Sequence, residues 1–242
     1  MLPTMTASAS GESARELAAR VWSFRFGSER EAAQRFAALA PVLRDAGTSE
    51  VVVGMAEEAA ADELRHADLC RQLVRHFGGA PPPEPELALR WTAPAGLEGR
   101  ERILYEIVAL SCMTETLSTA LLGELVARAT DTVCRQAMHS ILSDEVNHSR
   151  LGWAFLAEEH TRVVRDCVGR HLPAMLEATL GDELFKAAAA PEPRLAELAG
   201  LGSLERHDRL RVVQETLDRV IFPGLELFGI DTALGRRWLD AR

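Results

Sequence analysis

Asp62-Glu63-Leu64-Arg65-His66 and Asp144-Glu145-Val146-Asn147-His148 are two copies of one pattern, Asp-Glu-x-x-His, each set inside a long run of helix-forming residues. On a helix, Glu and His three apart leave the same face less than one turn from each other, so each copy presents a carboxylate beside an imidazole. One such pair arises by chance in many chains of this size. Two pairs constrain the fold, because a scaffold that brings them face to face assembles half or more of a metal site. Ala, Leu, Glu and Arg dominate and aromatics make up only 5%, which favours helix over strand. The expected class is all-α.

Residues 12–45 place Leu17, Trp22, Phe26, Ala33, Phe36, Ala40 and Leu43 at helical period, with Pro41 predicted to kink that helix or end it early. Gly47 followed by Thr48-Ser49-Glu50 reads as a C-terminal glycine and an N-cap, so a second helix starts near residue 49 and runs to about His76, antiparallel to the first. Residues 78–98 carry too many prolines and glycines for a long helix. Some 20 extended residues reach roughly 60 Å, whereas a 30-residue helix is about 45 Å long. The stretch can therefore cross a whole bundle, and each half alone would be a hairpin without a core, so a crossover is preferred to an interdomain linker. A third helix is predicted over 99–128 and a fourth from the Asp131 cap to about Glu159. Residues 161–242 are expected to add two or three helices, around Val163 to Lys186 and Leu204 to Ile221, with breaks at Pro191-Glu192-Pro193 and Pro223-Gly224. The expected organisation is a bundle over 12–160 and a helical extension over 161–242 packed on it, one domain overall.

If the two hairpins mirror each other, each Glu-x-x-His pair calls for a further carboxylate on the preceding helix. Glu115 fits the second half. It lies 30 residues before Glu145, with the Asp131 turn midway, in an apolar seam with Val108, Leu122 and Val126, where a lone acid is costly unless paired or metal-bound. In the first half Glu31 matches the height of Glu63 slightly better, but Glu29 shares its face with Trp22, Phe26, Ala33 and Phe36, and burial selects Glu29. Glu29, Glu63, His66, Glu115, Glu145 and His148 then form four carboxylates and two imidazoles, a set suited to two iron or manganese ions. Structural zinc would favour thiolates instead.

On these residues the chain resembles the ferritin-like di-metal carboxylate superfamily, which includes rubrerythrins, bacterial multicomponent monooxygenases and acyl-carrier-protein desaturases. The resemblance covers about residues 15–160. It implies a ferritin-like four-helix bundle with a long crossover between helices 2 and 3, the six ligands above, and Asp62 and Asp144 orienting the histidines. It also implies a hydroxyl residue assisting O2 handling one turn after Glu115, at Thr119 or, as an alternative, Ser118. The arylamine N-oxygenase branch carries a seventh-ligand histidine where this chain has Ile141, unless His139 or His171 substitutes. Tyr105, ten residues before Glu115, is too far along the helix for a radical role, and Trp22 and Trp153 read as core.

The expected activity is a di-iron oxidase or oxygenase that uses O2 to oxidise a small organic substrate, with the helices after residue 160 walling a pocket beside the metals, a protein electron donor and a homodimeric assembly. The alternative is a ferroxidase or peroxide-scavenging protein, although no Cys-x-x-Cys tail of rubrerythrin type occurs. A net charge of −9 argues against nucleic acid as a partner. No apolar run reaches the roughly 20 residues of a membrane span. Met1 to Gly11 lacks the basic start and apolar stretch of a signal peptide. Cys70, Cys112, Cys134 and Cys167, scattered on helices, read as core thiols of a cytoplasmic protein.

Overall fold

The computed structural model describes residues 13–86, 88, 89, 91–159, 162–185 and 195–241, and among them there are helices and no strand. Residues 12 and 160 that bound the predicted bundle, the segment Met1 to Gly11, Lys186 and the break at 191–193 lie outside the described residues.

Helix α1 spans Ala14–Asp45 and opens on a reciprocal cap, in which Ser13 accepts from the Glu16 N–H while Glu16 returns a bond to the Ser13 backbone. Gly47, at φ +77°, ends it in the left-handed conformation that glycine adopts without strain. Pro41 does not end α1 early as the sequence suggested. The helix runs four residues further, because Pro41 itself is exposed while Leu39, Ala40 and Leu43 beside it are buried in the core and hold the last turn. Helix α2, Glu50–His76, is capped by Ser49, and α5, Thr132–Glu158, by Asp131, whose carboxylate accepts from the Cys134 N–H at 2.9 Å.

Between them α3, Gly99–Ile107, and α4, Thr116–Arg128, are joined without a break by a π-helical segment, Val108–Glu115. The later helices are α6 (Arg162–Phe185), α7 (Leu195–Ala199), α8 (Arg206–Thr216), α9 (Phe222–Leu227) and α10 (Ala233–Asp240). Among the described residues they are five where two or three were expected. Pro223-Gly224 does not break the chain either, since a π-helical turn at Leu217–Ile221 leads straight into α9 and places Pro223 in its first turn, where the missing N–H costs little.

α1 packs along α2, α2 along α5, and α4 with the π segment along α5. Ion pairs and caps fix the directions. His76 at the end of α2 meets Asp131 at the start of α5, at 2.8 Å, and Ser49 at the start of α2 bonds Glu158 at the end of α5. The two helices are therefore antiparallel. Arg100 of α3 pairs with Glu159, 2.6 Å away, at that second end. The connection from residue 79 to residue 98 must then carry the chain from one end of the helices to the other. It runs over α1, with Glu84 bonded to Arg71 at 2.5 Å and paired with Arg30 at 3.1 Å, and with Thr92 and the Ala93 N–H bonded to buried Glu106.

The C-terminal helices close the structure: α6 packs on α3, the π segment and α10, while α8 packs on α4 and α7 on α1. One buried cluster thus contains Leu43, Val53, Leu104, Phe155, Leu172 and Phe222 together. Fully buried side chains of this kind each contribute roughly 1.5–3 kcal/mol.

Candidate metal centre

α2 and α5 are both 27 residues long, and Glu63 lies 13 residues after Glu50 as Glu145 lies 13 after Thr132. Two equal antiparallel helices with the motif at their midpoints must present the motifs to each other at one height. Glu63, His66, Glu145 and His148 accordingly converge, each offering a ligand atom within 4.8 Å of the others, and all four are almost completely buried. The His148 Nδ1 is 3.1 Å from Glu63 Oε1 across the helix pair and 3.5 Å from Glu145 on its own helix. The His66 Nδ1 is 3.3 Å from Glu63 and 3.8 Å from Glu145. The imidazole centroids are 5.5 Å apart.

The far side of each ring is held by the opposite motif. His66 Nε2 lies 3.1 Å from Asp144 Oδ2, and His148 Nε2 lies 3.3 Å from Asp62 Oδ2. A carboxylate can only accept, so Nε2 carries a proton and donates, which turns each Nδ1 toward the four-residue cluster. Arg65 joins the two aspartates, bonding Asp62 directly and Asp144 at 2.9 Å.

Glu29 and Glu115 lie beside this group of four and touch it, Glu29 through a side-chain hydrogen bond with Glu63 and Glu115 through one with Glu145. Both line the same cavity as Glu63 and Glu145; Glu115 is buried, and Glu29 is half-buried with the cavity beside it. Glu31 is exposed and lines the cavity as well. Thr119 is half-buried and donates to the Glu115 carbonyl at 2.8 Å; Thr114 and Ser118, not Thr119, are the hydroxyl residues of that stretch lining the cavity. Ile141 is buried, and His171 bonds the Cys167 carbonyl of its own helix.

Burial pushes the Glu115 carboxyl well above the usual range, and the charges of Glu145 and Glu63 push it further. Burial and Glu63 do the same to Glu29. Burial opposes ionisation of Glu63 too, but the imidazoles of His148 and His66 outweigh it and draw Glu63 down to about 2. Burial disfavours the charged form of His148, yet Glu145 and Glu63 overcome that and raise it to about 11. His66 is raised likewise, Glu63 outweighing burial.

These side chains fit a cation. Both oxygens of Glu63, one of Glu145 and the Nδ1 atoms of both histidines are buried and face one another across one space, in ion-pair range but without a well-oriented hydrogen bond. Buried polar atoms are rarely left so, and five around one point are explained by an ion they would bind. No thiol competes: Cys70, 4.0 Å from Glu29, is kept protonated by burial and then by the charge of Glu29.

No family model and no curated protein matches the chain. Its chemistry has to be argued from the site alone.

Two further parts of the site are built by contacts between residues far apart in the chain, the first without a sequence signal and the second expected of the helices after residue 160. The π segment comes so close to α5 that a Cβ on Gly152 would lie 2.5 Å from the Cys112 sulfur and 3.0 Å from its backbone nitrogen. At that contact buried Ser111 donates to the His148 carbonyl and accepts the Gly152 N–H at 2.7 Å, which anchors α5 at the ligand histidine. The second part is the cavity, about 270 Å³, to whose wall α6 contributes Met175, Ala178 and Thr179 and α8 contributes Val213. Tyr105 lines it also. A small apolar cluster, Phe36, Ala59 and Leu110, adjoins the cluster, with the Phe36 ring 5.6 Å from that of His148.

Proposed function

We propose that this chain is a ferritin-like four-helix bundle that binds two iron ions, or manganese in their place, and oxidises a small organic molecule with O2. The observation that carries the reading is the set of five buried ligand atoms that converge between α2 and α5 without well-oriented hydrogen bonds, with Glu29 and Glu115 beside them on the wall of a cavity large enough for an organic substrate. Glu63, His66, Glu145 and His148 would hold the ions, and Glu29 and Glu115 would complete the set. Iron bound there supplies the redox chemistry: one oxygen atom enters the substrate, and the other leaves as water with two electrons and two protons drawn from a donor protein.

The chain's own residues prepare that reaction. Asp144 and Asp62 keep a proton on each histidine Nε2 and so keep each Nδ1 available. In the metal-free protein His66, His148, Glu29 and Glu115 hold protons in place of cations, and these must leave when metal binds. Phe36 and Leu110 keep water from one side of the site, and α6 and α8 confine the substrate on the other.

Elemental analysis of protein produced with iron and manganese available, followed by anaerobic Fe(II) loading and an O2 pulse, tests the reading. About two iron per chain, rapid O2 uptake and an oxidised organic product are expected. O2 uptake without any organic product would favour a ferroxidase. Manganese with peroxide turnover would favour a scavenger, and no bound metal would refute the assignment.

A further inference from the structure

We propose that the cavity beside Glu29 and Glu115 binds a small organic carboxylate, and that Arg25 is the residue that receives its acid group. This rests on reading the cavity as the pocket of the metal centre and adds the chemical class of its occupant.

Arg25 and Arg35 are the two cations on the cavity wall. They differ in how their charge is met. The Arg35 guanidinium lies 3.4 Å from the buried carboxylate of Glu106, which offsets it. Arg25 makes no ion pair and no hydrogen bond among the described residues, and its Nε is buried without a partner. What holds Arg25 is the face of Trp22, with the guanidinium carbon 4.8 Å from the ring centroid. Trp22 is itself fixed, fully buried and donating from its indole nitrogen to the Leu201 carbonyl at 2.9 Å. A guanidinium stacked on a ring keeps its N–H donors in its own plane, directed away from the ring, where a carboxylate can take two of them at once.

Charge points the same way. Once two divalent ions balance the four carboxylates of the site, Glu31 is the acid left on the wall, and Arg25, one turn before Glu29, forms no ion pair with it or with any other carboxylate among the described residues. An anion entering the cavity meets that charge without displacing a resident partner. The rest of the wall is suited to a hydrocarbon body, with Leu110, Leu117, Leu121, Leu122, Met175 and Val213 lining it. At ~30 Å³ per water in the liquid, 270 Å³ equals about nine waters, so an acid of about ten non-hydrogen atoms is the right scale.

The test is calorimetric binding of two matched pairs, octanoate against octanamide and 4-ethylbenzoate against 4-ethylbenzamide, to the full chain in metal-loaded and metal-free form. In at least one pair the acid is expected to bind about tenfold or more tighter than the amide, in both forms of the protein, because the preference comes from Arg25. Arg25→Gln should abolish the preference with metal content unchanged, and Arg25→Lys should restore part of it. Equal binding of acid and amide, no binding of either acid, a preference surviving Arg25→Gln, or a preference seen only with metal bound would each overturn the proposal. Elemental analysis of the same samples reports separately on the metal reading: wild-type protein that holds no metal would end that reading while the acid preference is still measured.

Discussion

The two helical pairs that meet at the centre are alike where they carry the Glu-His cluster and unlike in the helices that flank it. α2 and α5 match in length, in motif and in the position of the motif, and each motif's aspartate serves the other's histidine. Their partner helices do not match. α1 is a regular α-helix with Arg25 four residues before Glu29, whereas the helix carrying Glu115 is π-helical over Val108–Glu115 and has Ser111 at the corresponding place, bonded to α5. Four residues after His66 stands buried Cys70; four after His148 stands Gly152. A symmetric centre suits two equivalent ions, and an asymmetric surround suits one substrate approaching from one direction.

The largest effect should come from breaking the symmetric part. Glu63→Ala or Glu145→Ala removes a carboxylate that faces both histidines, and either variant is expected to lose bound metal to background by elemental analysis. Glu115→Ala should keep the fold and lose at least one ion, and Glu29→Ala should behave in the same way. If the flanking variants kept full occupancy, the central four residues would be the whole site.

The metal-free protein should show an unusual pH dependence of stability. His148 binds its proton up to about pH 11 when folded but only to about 6.5 when unfolded, so its contribution is complete below 6.5 and fades as pH rises toward 11. His66, Glu29 and Glu115 are also raised and act in the same direction, the two acids from about 4.5 upward. Glu63, drawn down to about 2, opposes them only below 4.5. Thermal unfolding of metal-free protein should therefore show its highest Tm near pH 4.5, a fall above it as the two acids ionise, and a steeper fall above about 6.5 as the histidine contributions fade too. Metal affinity should run the other way, rising with pH as those protons become easier to displace, which Mn(II) titrations in buffers of different ionisation enthalpy would reveal as proton release. A Tm that climbs from pH 5 to pH 8 without metal would mean that the cluster carries few protons.

Arg65 and Asn147 occupy the same place in the two motifs, yet only Arg65 bridges Asp62 and Asp144, while Asn147 accepts from Arg150 at 3.3 Å. Arg65→Ala is expected to weaken metal binding by about 10–100-fold, the usual consequence of losing a group that orients metal ligands. Asn147→Ala should change stability by no more than about 0.5 kcal/mol. Equal effects in a competition assay for Mn(II) would remove this asymmetry.

Much of this was legible in the sequence, and the reasons differ from place to place. Helix limits at Gly47, Ser49 and Asp131 were readable because caps are local chemistry. The convergence of Glu63, His66, Glu145 and His148 was readable because one pattern occurred twice at equal helix height. Pro223 misled, and of the two outcomes expected at Pro41 the early end does not occur, since a proline's cost depends on the packing around it and on its position in the turn. The π segment had no sequence signal: its wide turn follows from contact with α5, between residues some 40 positions apart. A pocket walled by the helices after residue 160 was expected, but Arg25 on its wall was hidden, because which cations lack an acidic partner is decided by the packing of all the helices.

That close contact should be felt in stability rather than in metal binding. Gly152→Ala would drive a Cβ into Cys112 and the backbone of the π segment, neither able to move without shifting Ser111 and the His148 carbonyl it binds. Overpacking of this kind costs about 1–3 kcal/mol. The matching position in the other pair, Cys70, already carries a side chain, because α1 leaves room for a sulfur 4.0 Å from Glu29. Cys70→Ala only removes that sulfur and should cost about 1 kcal/mol, as for a deleted buried methylene. Denaturant unfolding of the two variants measures the difference in approach of the two flanking helices: a Gly152→Ala penalty no larger than that of Cys70→Ala would show that the π segment can back away from α5. The anchoring of His148 by Ser111 would then be dispensable.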